Sequence, residues 1–232
     1  HAAADLDDMG LLGRDVPVAV VDLRPAVAGS STPIALNLWA LPRTVLSLPA
    51  DDHVTLLVPL TSSDPKQAVE VALRMIEEQQ PQGAPEHELL AGIGAPRHDL
   101  HLSRDSWSEA LLSSRVALAV PGVRPVATWT DLGIYRLLAC GTQEKLSNAI
   151  LDPAVIRLLE HGDRDLLETA AAFLKAGGHV RLAAQALNIH RQTVYYRIQR
   201  IEQITGLSMS RGQDRLLLNL GLTMAPLLTS AG

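Results

Sequence analysis

The chain has 232 residues, 47% of them apolar and 19% charged, a make-up that is ordinary for a globular protein and suits one large or two modest domains. No apolar run approaches the ~20 residues that span a bilayer, and the opening HAAADLDD is acidic rather than a basic leader, so a cytoplasmic location without membrane association is expected. The net charge of −5 is uneven: residues 164–215 carry eight Lys or Arg against four Asp or Glu, so the remainder is acidic and any nucleic-acid footprint is local. The first residue is His rather than Met, which implies a processed, tagged or truncated piece of something longer. The single Cys140 cannot form an internal disulfide and is expected to be a small buried apolar side chain.

In chain order, residues 1–15 read as an N-terminal remnant. VPVAVVDL (16–23) is a β-branched run and predicts a buried strand. Thr32 before Pro33 predicts a short helix to about Ala40. RTVLSL (43–48) and VTLLVPL (54–60) predict two antiparallel strands joined by PADDH. Asp64 and Pro65 open a longer helix to about Gln80, ended by QPQGAPE. Leu89 to Gly94 predicts a fourth strand, and Ser106 with Glu109 fits a capping box that opens a helix to about Leu118. A short strand near Val126 to Thr128 follows PGVRP. This order predicts an α+β fold for residues 16–121, a ferredoxin-like or nucleotide-cyclase-like antiparallel sheet with helices on one face.

Beyond it the chain reads as all-α. DLGIYRLLA, TQEKLSNAI and DPAVIRLLE predict three short amphipathic helices in a connector over 122–163. Residues 164–229 form the final helical domain. Within it DLLETAAAFLKA (165–176) is followed by a short helix over Arg181 to Leu187, a turn at Asn188, and a second helix from about His190 to Gly206. At 100° per residue Val194, Ile198, Ile201 and Thr205 share one stripe, and Gln192, Tyr196, Gln199, Arg200 and Gln203 fall opposite. Gln and Arg can pair with adenine and guanine edges, so Gln192, Tyr196 and Arg200 are expected to enter a major groove while Arg191 and Arg197 flank the stripe where phosphates lie. Thr193 and Gln199 complete the candidate DNA-binding set. Leu216, Leu217, Leu218, Leu220, Leu222, Met224 and Leu227 cover almost the whole circumference of the last helix, Asp214 to about Leu228. All-round burial of this kind predicts that another subunit supplies part of it, in a homodimer.

The segment IHRQTVYYRIQRIEQITG, preceded by LLETAAAFLKAGGHVRLAAQAL, resembles the C-terminal DNA-binding domain of PucR/CdaR-type bacterial transcriptional regulators and, more distantly, the Fis-type helix-turn-helix. The family junction of leucine, any residue, hydrophobic, His, Arg, Asn, Thr and then Tyr-Arg is matched by Leu187, Ile189, His190, Arg191, Thr193, Tyr196 and Arg197. It departs at Gln192, where Asn is usual, which bears on base preference rather than docking. The upstream marks VAVVDL, GIGAP, SWSEALLSSRVAL and WTDLGIYRLLA resemble the degenerate GGDEF-like domain that precedes it in that group. The resemblance implies a transcriptional regulator whose partner is double-stranded DNA, with no cofactor and an effector the sequence leaves unnamed.

Two other classes compete, a nucleotide-cyclase-type enzyme and a helical protein-interaction module. Asp22, Asp51 and Asp52 could supply hard oxygen ligands for magnesium, but Pro49 and Ala50 stand where an active cyclase hairpin carries the glycines that let nucleotide approach. His98, Asp99 and His101 lack a third His or a Cys nearby and read as surface residues. Gly92 and Gly94 do not make a dinucleotide fingerprint, because the third glycine is absent. No catalytic and no metal-ligating residues are assigned, and the protein is expected not to be an enzyme.

Overall fold

A computed structural model describes residues 16–27, 41–79 and 88–229. The expected remnant 1–15, the helix over 32–40 and the QPQGAPE break lie outside the described residues. The chain divides into two compact units, His1–Cys140 and Gly141–Gly232, each described by itself below.

The first unit is built on a five-stranded sheet of β1 (Val18–Pro25), β2 (Leu46–Pro49), β3 (Val54–Pro59), β4 (Leu89–Ile93) and β5 (Val126–Thr128), in the order β2-β3-β1-β4-β5. The first four strands pair antiparallel, as the hairpin of β2 and β3 requires. The expected all-antiparallel sheet is corrected at its edge, where β5 runs parallel to β4. The cause is the helix between them, α2 (Ser103–Ala119), a crossover that returns the chain in the same direction.

Strand alternation sends Ala19, Val21, Leu23, Val54, Leu56, Val58, Leu89, Ala91 and Ile93 to one face. There they bury Ala68, Ala72, Met75 and Ile76 of α1 (Lys66–Gln79), whose start is fixed by Asp64 Oδ1 accepting from Lys66 N at 3.0 Å. Helices on one face is the second correction, because α2 lies on the other. Val20, Asp22 and Gly92 point to it, with Val20 N donating to Ser106 Oγ at 3.0 Å and Ser114 Oγ donating to Asp22. The approach is backbone to backbone. A Cβ on Gly92 would stand 2.1 Å from Ala110 O, and one on Gly94 would stand 1.9 Å from Ser106 O. The two glycines exist so that α2 can touch β4.

Local signals misplaced the start of this helix. Ser106 and Glu109 lie inside α2 rather than at its cap, and Glu109 instead accepts from Ala95 N at 2.8 Å and from Arg97 at 2.6 Å. After β5 the chain makes 3-10 turns at Trp129–Asp131 and Gly133–Cys140, where an amphipathic helix was expected. Cys140 is exposed at the end of the second, not buried.

The second unit contains α3 (Gln143–Ile150), α4 (Pro153–His161), α5 (Arg164–Lys175), α6 (Val180–Leu187), α7 (Arg191–Thr205) and α8 (Gly212–Leu228). Thr142, Asp152 and Asp163 cap the first three through their side-chain oxygens. One core gathers Val155 and Leu158 of α4, Leu166 and Phe173 of α5, Ala183 of α6, Val194, Ile198 and Ile201 of α7 and Leu218 of α8. Gln143 Nε2 and Ser147 Oγ of α3 donate to Leu228 O, closing the end of α8. The last helix is not apolar-buried all round within this unit: Leu218, Met224, Ala225, Leu227 and Leu228 are inside, and Leu216 is 65% exposed.

Candidate nucleic-acid interface

The helix-turn-helix is set by its turn. Asn188 adopts φ 53° and ψ 43°, a left-handed conformation that Asn tolerates better than other non-glycine residues, and Ile189 N donates to Ala184 O at 3.1 Å to close α6. His190 then caps α7, accepting from Gln192 N through Nδ1 at 3.3 Å. Gly206, at φ 74°, ends the helix.

Within α7 the expected stripe is the buried one: Val194, Ile198, Ile201 and Thr205 are inside. Arg191, Gln192, Tyr196, Gln199 and Arg200 are exposed, Tyr196 by 70%, and Thr193 is half-buried at their edge. Arg191, Tyr196 and Gln199 make no side-chain hydrogen bond or ion pair with another described residue, while Arg200 reaches only Gln203 Oε1, at 3.2 Å. This face is therefore polar, basic and unengaged.

Arg197 differs from its neighbours. Its side chain is 19% exposed, and its guanidinium makes an ion pair with Asp165 of α5 and donates to Thr169 Oγ1 at 3.3 Å. Thr169 is itself buried and donates to Asp165 O at 2.7 Å. Thr193, Tyr196, Arg197 and Arg200 line a cavity of about 450 Å³ whose far wall is His161, Asp163 and Asp165. The C-terminal end of α7 is held by Arg157 of α4, which donates to Ile204 O at 3.2 Å and Thr205 O at 2.6 Å. A cation there also matches the negative end of the helix dipole. Sequence reasoning missed Arg157, Asp165 and Thr169, since their partners lie far along the chain and no local pattern marks them. Of the other cations in this stretch, Arg164 is held by Glu168 at 2.7 Å, which pushes its pKa up, and Arg215 donates to Met209 O at 2.8 Å. Lys175, Arg181 and Arg211 have no side-chain partner among the described residues.

Of the candidate groups of the first unit, Asp22, Asp52 and His98 have internal partners, while Asp51 is exposed. Asp22 is fully buried; its Oδ2 accepts from Arg24 Nε at 2.8 Å and from Ser114, and its Oδ1 has no hydrogen-bond partner. A guanidinium is thus the counter-ion of the one acidic residue on β1, which does not fit a magnesium site. Asp52 bonds His53 Nδ1 at 2.7 Å, and that hydrogen bond holds its carboxyl below the usual range. His98 meets Ser63 Oγ at 2.9 Å, and Asp99 caps a short turn by accepting from His101 N at 2.8 Å. No group of three or more His, Cys, Asp or Glu among the described residues could hold a metal ion. None of the described helices is long and apolar enough to cross a membrane.

Residues 166–224 match the PucR C-terminal helix-turn-helix domain. The chain is 31% identical over 101 residues to the DNA-binding transcriptional activator AdeR of Bacillus subtilis, a match covering 42% of this chain and 24% of that protein. It is 29% identical over 122 residues to the purine catabolism regulatory protein of the same organism, covering 53% and 23%. The matched part is thus about a quarter of each relative's length. Among solved structures, the regulator of polyketide synthase expression from Bifidobacterium adolescentis aligns over 96% of this chain and 84% of its own, at 20% identity and a TM-score of 0.38.

Proposed function

We propose, from the match of residues 166–224, that the second unit carries a PucR-type C-terminal helix-turn-helix domain. We propose that the protein is a DNA-binding transcriptional regulator, not an enzyme, and that α7 enters the major groove of double-stranded DNA. The observation that carries this reading is the division of α7: its apolar stripe is buried, and Arg191, Gln192, Tyr196, Gln199 and Arg200 stand outside with almost no internal partner. Gln192, Tyr196, Gln199 and Arg200 read base edges, with Thr193 at their margin, and Arg191 at the start of α7 holds a phosphate. The relatives' names, an activator and a regulatory protein, support the same class.

The sheet unit is a degenerate GGDEF-like regulatory domain. The strand order β2-β3-β1-β4, with a helix between β3 and β4, supports a ferredoxin-like core, and Pro49, Ala50 and the Asp22–Arg24 pair argue against retained nucleotide chemistry. The regulator works in the cytoplasm as a symmetric dimer that includes α8, whose exposed Leu216 gains cover from a second copy. Its two copies of α7 then meet half-sites about 34 Å apart or a multiple of that.

The test is selection of bound fragments from genomic DNA, followed by titration of variants on the selected duplex and a random one. Gln192→Ala and Arg200→Ala should each cost roughly 1–3 kcal/mol on the selected site and blur one base position. Binding that survives Arg191→Ala, Arg197→Ala and Arg200→Ala together would remove DNA recognition from α7.

A further inference from the structure

The cavity beside α7 has the chemistry of an anion seat that is already taken. Arg197 is its deepest cation, and two partners fix it. Thr169 is buried and its hydroxyl is tied to Asp165 O; Asp165, on the first turn of α5, has a side chain 60% exposed and no other side-chain bond. The two tethers are therefore unequal. Release of Asp165 into water leaves the guanidinium still aimed by Thr169, and leaves the carboxylate at the positive end of α5, where it is stable without Arg197. Phosphate and carboxylate engage a guanidinium through the same paired, charge-assisted hydrogen bonds. Beside Arg197 on the same wall stand Thr193, Tyr196 and Arg200, three members of the proposed DNA face.

We propose that this cavity seats one backbone phosphate of the bound duplex, and that Asp165 occupies Arg197 in its place until DNA displaces it. The inference rests on the DNA-binding reading and adds to it an internal competitor. Asp165 lowers affinity for every sequence alike, since a phosphate carries no base information. It thereby sets how much of the protein is held by non-specific DNA. Asp163 does not share the role, because its carboxylate is committed to capping α5 through Leu166 N at 2.8 Å.

The experiment is a salt titration of the full chain on a random-sequence duplex and on a selected genomic fragment, with Asp165→Asn, Arg197→Ala and the double variant. Asp165→Asn should tighten binding about fivefold on both duplexes, as expected for removal of one exposed ion pair that competes. Arg197→Ala should lower the salt slope by about one. In the Arg197→Ala background Asp165→Asn should change nothing. Asp165→Ser, which also suits the first turn of a helix, repeats the test if the Asn variant melts early. The proposal is overturned if Asp165→Asn weakens binding, if its effect persists without Arg197, or if Arg197→Ala leaves the slope unchanged; the ion pair is then a brace between α5 and α7. A parent chain that binds neither duplex overturns the DNA-binding reading instead.

Discussion

The two units use the same residue types in opposite ways. In the sheet unit charge is turned inward: Asp22 pairs with Arg24 along β1 and accepts from Ser114 of α2, and Arg97 after β4 pairs with Glu109 of α2. In the helical unit the core is almost wholly aliphatic, and Arg191, Gln192, Gln199 and Arg200 face outward with little to hold. A buried ion pair contributes to fit more than to net stability, since desolvation offsets much of its attraction. An exposed, unpartnered basic face contributes nothing to the fold. It leaves Arg191 and Gln199 available to a ligand, as the carboxylate of Asp22, buried against Arg24, is not.

The units also differ in how closely their elements pack, and that difference can be broken by substitution. At Gly92 an added methyl group meets the backbone of α2, which cannot step aside. Gly92→Ala should therefore cost about 3 kcal/mol or more, at or beyond the upper end of overpacking effects. Urea unfolding followed by tryptophan fluorescence reads this out in the sheet unit alone, because all three Trp (Trp39, Trp107, Trp129) precede residue 141.

Next in size is Ser114→Ala, expected to cost about 2 kcal/mol by stripping a donor from the fully buried Asp22. The same denaturation measures it, and a cost near zero would mean that Arg24 alone satisfies the carboxylate. In the helical unit the corresponding close approach is softer. A Cβ on Gly221 meets only the Val155 side chain, at 2.5 Å. Gly221→Ala should cost about 1 kcal/mol after its gain in helix propensity. Combined with Val155→Ala it should cost less than the sum of the two by at least ~0.5 kcal/mol, which a double-mutant cycle on the far-ultraviolet melt detects. The smallest effect concerns the turn: Asn188→Ala should destabilise by about 1 kcal/mol, and Asn188→Gly by a few tenths, because only the first meets the left-handed penalty.

These comparisons also show why parts of the structure were legible from sequence. Asn188, Gly206 and the spacing of Val194, Ile198 and Ile201 act within a few residues, so the limits of α6 and α7 and the buried stripe could be read directly. Ser106 and Glu109 follow the same local grammar, yet the partner of Ser106 is Val20, 86 residues away, and a pattern window cannot see it. The parallel edge of the sheet, the placement of α2 on the second face and the tie of Arg197 to Asp165 are likewise long-range facts. The flanking role expected for Arg197 was a matter of helix angle alone, and the angle holds no information about α5. Cys140 was misjudged because a lone cysteine is usually buried, and a 3-10 segment exposes what an amphipathic helix would have covered.

The clasp of Gln143 and Ser147 on the Leu228 carbonyl, with Val155 and Leu158 in the common core, separates what melts together from what is recognised together. The stretch matched by the helix-turn-helix family covers residues 166–224. The cooperative body extends back through α4 and α3, so a fragment trimmed to the matched stretch loses apolar partners on α4 and leaves the carbonyl end of α8 open to water. Local opening should accordingly begin where α3, which has no buried residue, meets α8, and amide protons near Leu228 should exchange long before those of Ile198 and Ile201. Dissection at the limits of that family match would cut through the folding unit rather than around it.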